Sequence, residues 1–371
     1  MSRRAALIAA AIALPVTGAH ADPWQGETEA GVEYDSNVHR VEERNQPVAA
    51  PLLRVAARLE ARGGEPDTLR WGVTLGGGAR TVLTGIDGED AFTGAADLTA
   101  TRRAGQHLAL AARATHYEVW PVAGDLTVRA FASSGADVSI ASDDDRGRRA
   151  AISVGARRVI YKPDADFDWT GPTIAVLLES PLWRGADDRA VDLAAGYRLE
   201  RRTYQGLGYH NGCAPSDQTT PIAECFVPGD RVRADLVQVA SARATYTGAR
   251  VASVGYELTV DDSTSFGSSL VRQRLTLSVT TPLPGALFAT ATVTGQLDHF
   301  PDPPAVARDL ATLDFTSLDD ESRSGAAVRI ARALGPAWQL EARWAIQATA
   351  FADDVTSFRR QVAYAGVTWE R

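Results

Sequence analysis

The chain has one lysine, Lys162, and two cysteines, Cys213 and Cys225, among its 371 residues. Its net charge is −8. Without a basic tract it cannot hold a phosphate backbone, so nucleic acid is excluded as a partner on electrostatic grounds. Helical periodicity is almost absent. Past the N-terminal segment no apolar run approaches the ~20 residues that a spanning helix needs, which excludes a bundle of membrane helices. Histidine and cysteine never cluster at zinc-binding spacing. The triplet GGG at 76–78 lacks the following Lys-Ser/Thr of a phosphate loop. It sits inside a strand pattern and is expected to relieve crowding there. No nucleophile stands at a defined spacing from a base. The reading is of a protein that is not an enzyme and holds no cofactor or metal.

What is present begins with a leader. MSRRAALIAAAIALPVTGAHAD sets Arg3 and Arg4 before an apolar core, Ala5–Val16, and a small-x-small site, Ala19-His20-Ala21. This reads as a signal peptide over 1–21, cleaved after Ala21, with 22–371 as the folded unit. No cysteine follows the cleavage site, so a lipoprotein anchor is not expected. A chain of this length can form two soluble domains, but abundant glycine and the dominance of Ala, Val and Thr argue against that split.

Alternation of period two runs from end to end. VASVGYELTV (251–260) puts Ala252, Val254, Tyr256, Leu258 and Val260 on one face and Ser253, Gly255, Glu257 and Thr259 on the other. WQLEARWAIQ (338–347) opposes Trp338, Leu340, Trp344 and Ile346 to Gln339, Glu341 and Arg343. EAGVEYDSNVHR (29–40) sets Ala30, Val32 and Tyr34 against Glu29 and Glu33. It then stops at Asp35-Ser36-Asn37, whose side chains bond to backbone and start a turn. Each is a strand with one greasy and one polar face. Runs of about ten to sixteen residues exceed the five or six usual in soluble sheets and suit the ~9–11 that cross a hydrocarbon layer. The expected fold is all-β: a transmembrane antiparallel up-and-down β-barrel of about sixteen strands, or eighteen if a long run splits.

The runs begin near residues 24, 50, 67, 91, 106, 125, 147, 167, 189, 231, 249, 267, 286, 322, 337 and 356. Connections after even-numbered runs are short, such as RGGEPD, RAGQ and PLPGA. The longest, roughly 36–48, 205–229 and 300–321, all follow odd-numbered runs. Tight turns at one rim and loops at the other are what a barrel requires. Trp24, Trp71, Trp183, Trp338 and Trp369 fall beside the short turns, with Trp120 and Trp169 near the opposite rim, as an interfacial girdle would.

In such a barrel the polar face meets the lumen. Inward positions are Arg54, Arg58 and Glu60 on the second strand, Arg113 on the fifth, and Arg198, Glu200 and Arg202 on the ninth. The tenth adds Arg233, Asp235 and Arg243, and the twelfth Arg272 and Arg274. The fourteenth and fifteenth add Arg329 and Arg343. Two uses compete: pairing with carboxylates that keeps the interior hydrated, or a lining that attracts anions and polar chains. His39, His210 and His299 fall at or near expected outer loops. His116 keeps the parity of Leu108, Leu110, Ala112 and Ala114 and points outward near the rim. Cys213 and Cys225 are spaced for a local disulfide in an oxidising compartment, at the base of the longest outer loop.

The leader, the early YDSNV, the PLWRG and PLPG turns and the terminal QVAYAGVTWE resemble Gram-negative outer-membrane β-barrels over the whole of 22–371. Terminal strands of that group finish on an aromatic residue, whereas here Trp369 is followed by Glu370 and Arg371. More narrowly, the chain is similar to barrels of the polysaccharide-export porin type. It lacks the helical periplasmic repeats of the poly-N-acetylglucosamine porin, so the better match is a barrel paired with Wza-like export proteins. That resemblance implies an outer-membrane location in contact with lipid, a polysaccharide cargo and a periplasmic polysaccharide-export protein as partner. The alternatives are a general solute porin or, from another class, a structural or adhesion barrel of an envelope or motility complex.

Overall fold

The computed structural model describes residues 24–38, 46–65, 68–84, 90–121, 130–185, 188–213, 226–301, 324–348 and 359–371. The expected leader, 1–21, lies outside them, as do His39 and Cys225. Sixteen strands form a single closed ring. They are β1 Trp24–Asp35, β2 Ala50–Gly64, β3 Arg70–Val82, β4 Ala91–Arg103, β5 Leu108–Pro121 and β6 Phe131–Asp143. Next come β7 Arg149–Tyr161, β8 Trp169–Arg184, β9 Ala190–Asn211, β10 Phe226–Thr247 and β11 Val251–Ser263. The ring finishes with β12 Leu270–Leu283, β13 Leu287–His299, β14 Ser324–Ala333, β15 Trp338–Ala348 and β16 Arg359–Glu370. Every strand pairs antiparallel with its sequence neighbours, and β1 pairs with β16, so no edge is left open. No long run splits, which removes the eighteen-strand alternative.

Connections after even-numbered strands are three to five residues long, from 65–69 to 334–337, and those after odd-numbered strands run from six residues (264–269) to 300–323. In the turn 144–148 the Asp144 carboxylate accepts from the amides of Arg146 (3.0 Å) and Arg148 (2.9 Å) and from the Arg148 guanidinium (2.7 Å). These bonds, the Arg148 side chain foremost, hold the Asp144 carboxyl below its ordinary range. One expected loop is corrected. The span 205–229 is shortened at both ends, because β9 continues to Asn211 and β10 starts at Phe226, leaving 212–225 as the connection. Glycines and Pro228 in this stretch look like loop residues, but cross-strand pairing with a register shift absorbs them.

The pairing register carries one parity around the whole ring. Partners share a face, so Glu29, Arg54, Arg80, Arg113, Arg157, Glu200, Asp261, Arg274 and Arg343 all lie on the same side of the wall. The opposite side is apolar and open: Val138, Ile140, Ile152, Val154, Leu178, Leu277, Val293 and Trp344 are all exposed. A soluble protein of this size would bury such residues. Trp24, Trp71, Trp183 and Trp338 are exposed on that outer side at the short-turn rim, with Trp369 paired to Trp338. Trp120 is exposed near the other rim, whereas Trp169 turns inward and is buried against Val159 and Tyr204.

Several rings lie across glycines of the wall. A Cβ at Gly94 would meet the Trp120 ring at 2.8 Å, and a Cβ at Gly31 would meet the Tyr364 ring at 2.5 Å. The GGG triplet is less crowded than expected. A Cβ at Gly76 would find only ordinary contacts, and only Gly78 is tight, 3.1 Å from Thr93 Oγ1.

Candidate functional site: the charged inner wall

Alternation sends every second side chain inward, and the ring gathers most of the charged ones into two arrays. The first spans β14–β16 and β1–β3. At its rim Asp35 accepts from Arg360 (Nη2, 2.7 Å) and Arg80 (Nη2, 2.5 Å), and Arg80 also bonds Glu33 (2.7 Å). Deeper, Glu29 meets Arg343 (3.1 Å) and Arg54 (3.7 Å), and Glu341 accepts from Arg329 (2.6 Å) and pairs with Arg343. The Tyr364 ring sits between the Arg343 and Arg54 guanidinium groups, 5.0 and 5.9 Å from its centroid.

The second array spans β7–β13 and includes β9, which lies eight places from β1 in the ring. Glu200 is ringed by Arg202 (2.6 Å), Arg157 (3.4 Å) and Arg198 (3.8 Å). Arg202 reaches Asp261 (3.7 Å) and covers the Trp169 ring, and Arg233 pairs with Asp235 (2.7 Å) and covers the Tyr204 ring. Farther round, Arg272 bonds Asp298 (2.9 Å) and Arg274 approaches Glu257 (3.9 Å). Within the span of the second array, β12 and β13 also offer hydroxyls: Thr280 to Thr290 (3.0 Å) and Thr292 to Ser278 (3.3 Å).

Acid and base differ in depth. The Glu200 side chain is 0% exposed, while Arg157 and Arg198 in front of it are 33% and 37% exposed. Glu341 is 1% exposed behind Arg329 at 48%. The carboxylates are short and lie against the wall, and the longer guanidinium stems fold over them. Among the arginine–carboxylate pairs of the described residues, Arg272–Asp298 and Arg274–Glu257 reverse this order. The surface facing the interior is therefore mostly cationic, although carboxylates match most of the arginines.

All fourteen lumen positions inferred from alternation share this inner face, but they do not form one cluster. Arg54, Arg329 and Arg343 join the first array, and Arg198, Glu200, Arg202, Arg233 and Asp235 the second. Arg58 pairs with Glu60 (3.5 Å), and Arg113 with Asp97 (2.5 Å), apart from both. Arg243 is exposed on β10. Alternation did not single out Arg80, Arg157, Arg360 or Asp261, although their parity was available. Arg157 is hidden by the adjacent Arg158, and Arg80 and Arg360 sit near strand ends where the pattern fades.

On the outer face His116 contacts Ser134 (Nδ1 to Oγ, 2.9 Å) and Glu118 (Nε2 to Oε2, 3.4 Å), a constellation that alternation alone did not reveal. A nucleophile–base pair also needs donors for an oxyanion. Here β6 is paired without interruption on both sides, so the backbone N–H groups around Ser134 are committed to the ladder. Among the described residues no group of three His, Cys, Asp or Glu could hold a metal ion.

No protein-family model matches the chain, and no curated protein matches it. Among solved structures it is similar to the anion-selective porin from Comamonas acidovorans, at 10% identity and a TM-score of 0.48, covering 94% of this chain and 98% of that one. It is also similar to a triple mutant of Rhodopseudomonas blastica porin, at 10% identity and a TM-score of 0.40, covering 94% and 99%. Superposition this loose carries no functional argument.

Proposed function

We propose that the chain is a passive outer-membrane channel for small hydrophilic solutes, with a preference for anions. The observation that carries this is the contrast between the two faces of a closed ring: exposed Leu, Val, Ile and Trp outside, guanidinium groups in front of buried carboxylates inside. An apolar band bounded by aromatics suits a bilayer. A ring of sixteen strands is wide enough to leave an aqueous space, and exposed cations along it raise the local anion concentration. The signal peptide over 1–21 and a Gram-negative outer membrane belong to the same reading.

Polysaccharide export is the finer alternative, and the inner wall favours it less. A sugar chain slides best over exposed aromatic rings. Trp169, Tyr204, Tyr161, Phe131 and Tyr364 all face inward but are 9% exposed or less. They are covered by arginines or by each other and offer no stacking track.

The test is conductance of purified protein in planar bilayers under a KCl gradient. The expected result is open-channel current with a reversal potential on the chloride side. Replacing Arg157, Arg198 and Arg329 together by Glu should abolish or invert that preference. A properly folded barrel without conductance overturns the channel reading. Loss of a surface polysaccharide on gene deletion, its lipid-linked repeat unit still being made, would favour export instead.

A further inference from the structure

The outer face has one sector where its apolar character changes abruptly. Along β5 the outward residues are Leu108, Leu110, Ala112 and Ala114, then His116. Along β6, approached from the short-turn rim, they are Ile140, Val138 and Ala136, then Ser134. On β7 Ile152, Val154 and Ala156 precede Arg158, and on β9 Tyr197 and Leu199 precede Arg201. The register places His116, Ser134, Arg158, Thr170 and Thr203 opposite one another in turn across five strands. This polar row begins where the apolar band ends on each strand.

Its charges are not self-contained. Glu118, the carboxylate of this sector, is taken up by Lys162 and touched by His116, and Lys162 leans on the Trp120 ring (5.4 Å). Arg158 and Arg201 are both exposed, and no carboxylate among the described residues pairs with either. Ser134 and Thr170 flank Arg158 as its direct cross-strand neighbours, within about 4.5–5.5 Å at the backbone. Two guanidinium groups and two hydroxyls so placed suit a phosphate.

The wall below is dented. Alanines at 112, 114 and 136, between Leu98, Val138 and Val154, leave a furrow of about 440 Å³. A larger one of about 940 Å³ follows toward the short-turn rim, walled by Leu110, Ile140, Ile152, Val176 and Leu178. The head of the first furrow is two residues from His116 and Ser134, about 7 Å along a strand. An apolar furrow running into a cationic row matches a molecule with an acyl chain and a phosphate at its head.

We infer that the outer wall over β4–β9 binds one phosphate-bearing lipid, its chain in the alanine furrow and its phosphate on Arg158 and Arg201 between Ser134 and Thr170. The inference rests on the membrane-barrel reading of the preceding section. The charge at the head selects a lipid over a second copy of the chain, whose matching surface would be apolar and cationic too.

The test is native mass spectrometry of the full barrel released from nonionic detergent, with equal amounts of dimyristoyl phosphatidic acid and dimyristoylglycerol. The expected result is retention of the phosphatidic acid alone. Arg158→Gln with Arg201→Gln should lower its abundance about tenfold, a difference worth ~1.4 kcal/mol. Ala136→Phe, which fills the furrow, should lower it as well. Equal retention of both lipids, or adducts unchanged in these variants, overturns the site. Full displacement by inorganic phosphate overturns the furrow's part in it. An oligomer that the double variant dissociates would assign the face to a second copy and defeat the proposal. Each protein is first checked for faster gel migration when unboiled. Wild type failing that check would sink the membrane barrel itself, a result distinct from loss of the lipid.

Discussion

Asp35 shows what single residues do here. Its side chain is 0% exposed and is held by Arg360, by Arg80 and by the amide of Asn37 (2.9 Å). Asp35→Ala removes the acid that Arg360 and Arg80 share, leaving Arg80 to Glu33, and breaking a buried pair in this way costs about 3–5 kcal/mol. The urea midpoint, followed by tryptophan fluorescence, should fall accordingly. Glu179→Ala is the control. Its pair with Arg149 (3.5 Å) is exposed on both sides, so a change of about 0–1 kcal/mol is expected. A drop as large for Glu179 as for Asp35 would refute the distinction. Asp35 was legible in the sequence as the residue that ends the first strand, but its partners were not. Arg360 stands 325 positions away, and only closure of the ring brings the two together.

Strands were the most legible elements, because period two survives wherever one face is apolar and the other polar. Most starts lie within three residues of their expected positions. The exceptions are the starts of β6 and β10. Pairing beyond the apolar band sustains the far ends of β9 and β10, and there neither face carries the pattern that alternation reads. The same two-sidedness gives a test on β12. Leu277 faces outward and is 45% exposed, while its neighbour Thr276 faces inward. Leu277→Arg should impair folding into lipid vesicles by about 2–4 kcal/mol, and Thr276→Arg should fold like the parent. Equal defects would mean that the outer face does not meet hydrocarbon. At the end of β9, Cys213 follows the strand by two residues, and Cys225 lies outside the described residues. The proposed bridge between them would close the β9–β10 connection, for a chain-entropy gain of ~3 kcal/mol. Protein purified from cells without reductant should then show no reactive thiol, and two titrating thiols would disprove the bridge.

The whole molecule is a ring built almost entirely from neighbours, and two charged arrays face each other across it. Alternation identifies inward residues strand by strand, but which strands lie opposite follows only from their number and from closure. One junction differs from the others. β1 pairs with β16, and there the Tyr364 ring lies over Gly31 and Gly366, where any Cβ would collide with it. This arrangement has a kinetic consequence. Hairpins can zip as soon as adjacent strands meet, whereas the β1–β16 pairing must wait for the two ends of the chain to find each other, and such remote pairings are slow. Closure should be the last and rate-limiting event of assembly. Gly31→Val should delay the appearance of the fast-migrating band in a folding time course, with little effect on the earlier gain of β-structure by circular dichroism. Tyr364→Ala added to it should restore the rate in part, since the Ala365 carbonyl also lies 2.5 Å from that Cβ. If both signals slow together, the wall grows as a unit and the junction is not a checkpoint. If only the band lags, the flat ring over two glycines acts as a latch that sets how long an unfinished, open-edged sheet persists in the membrane.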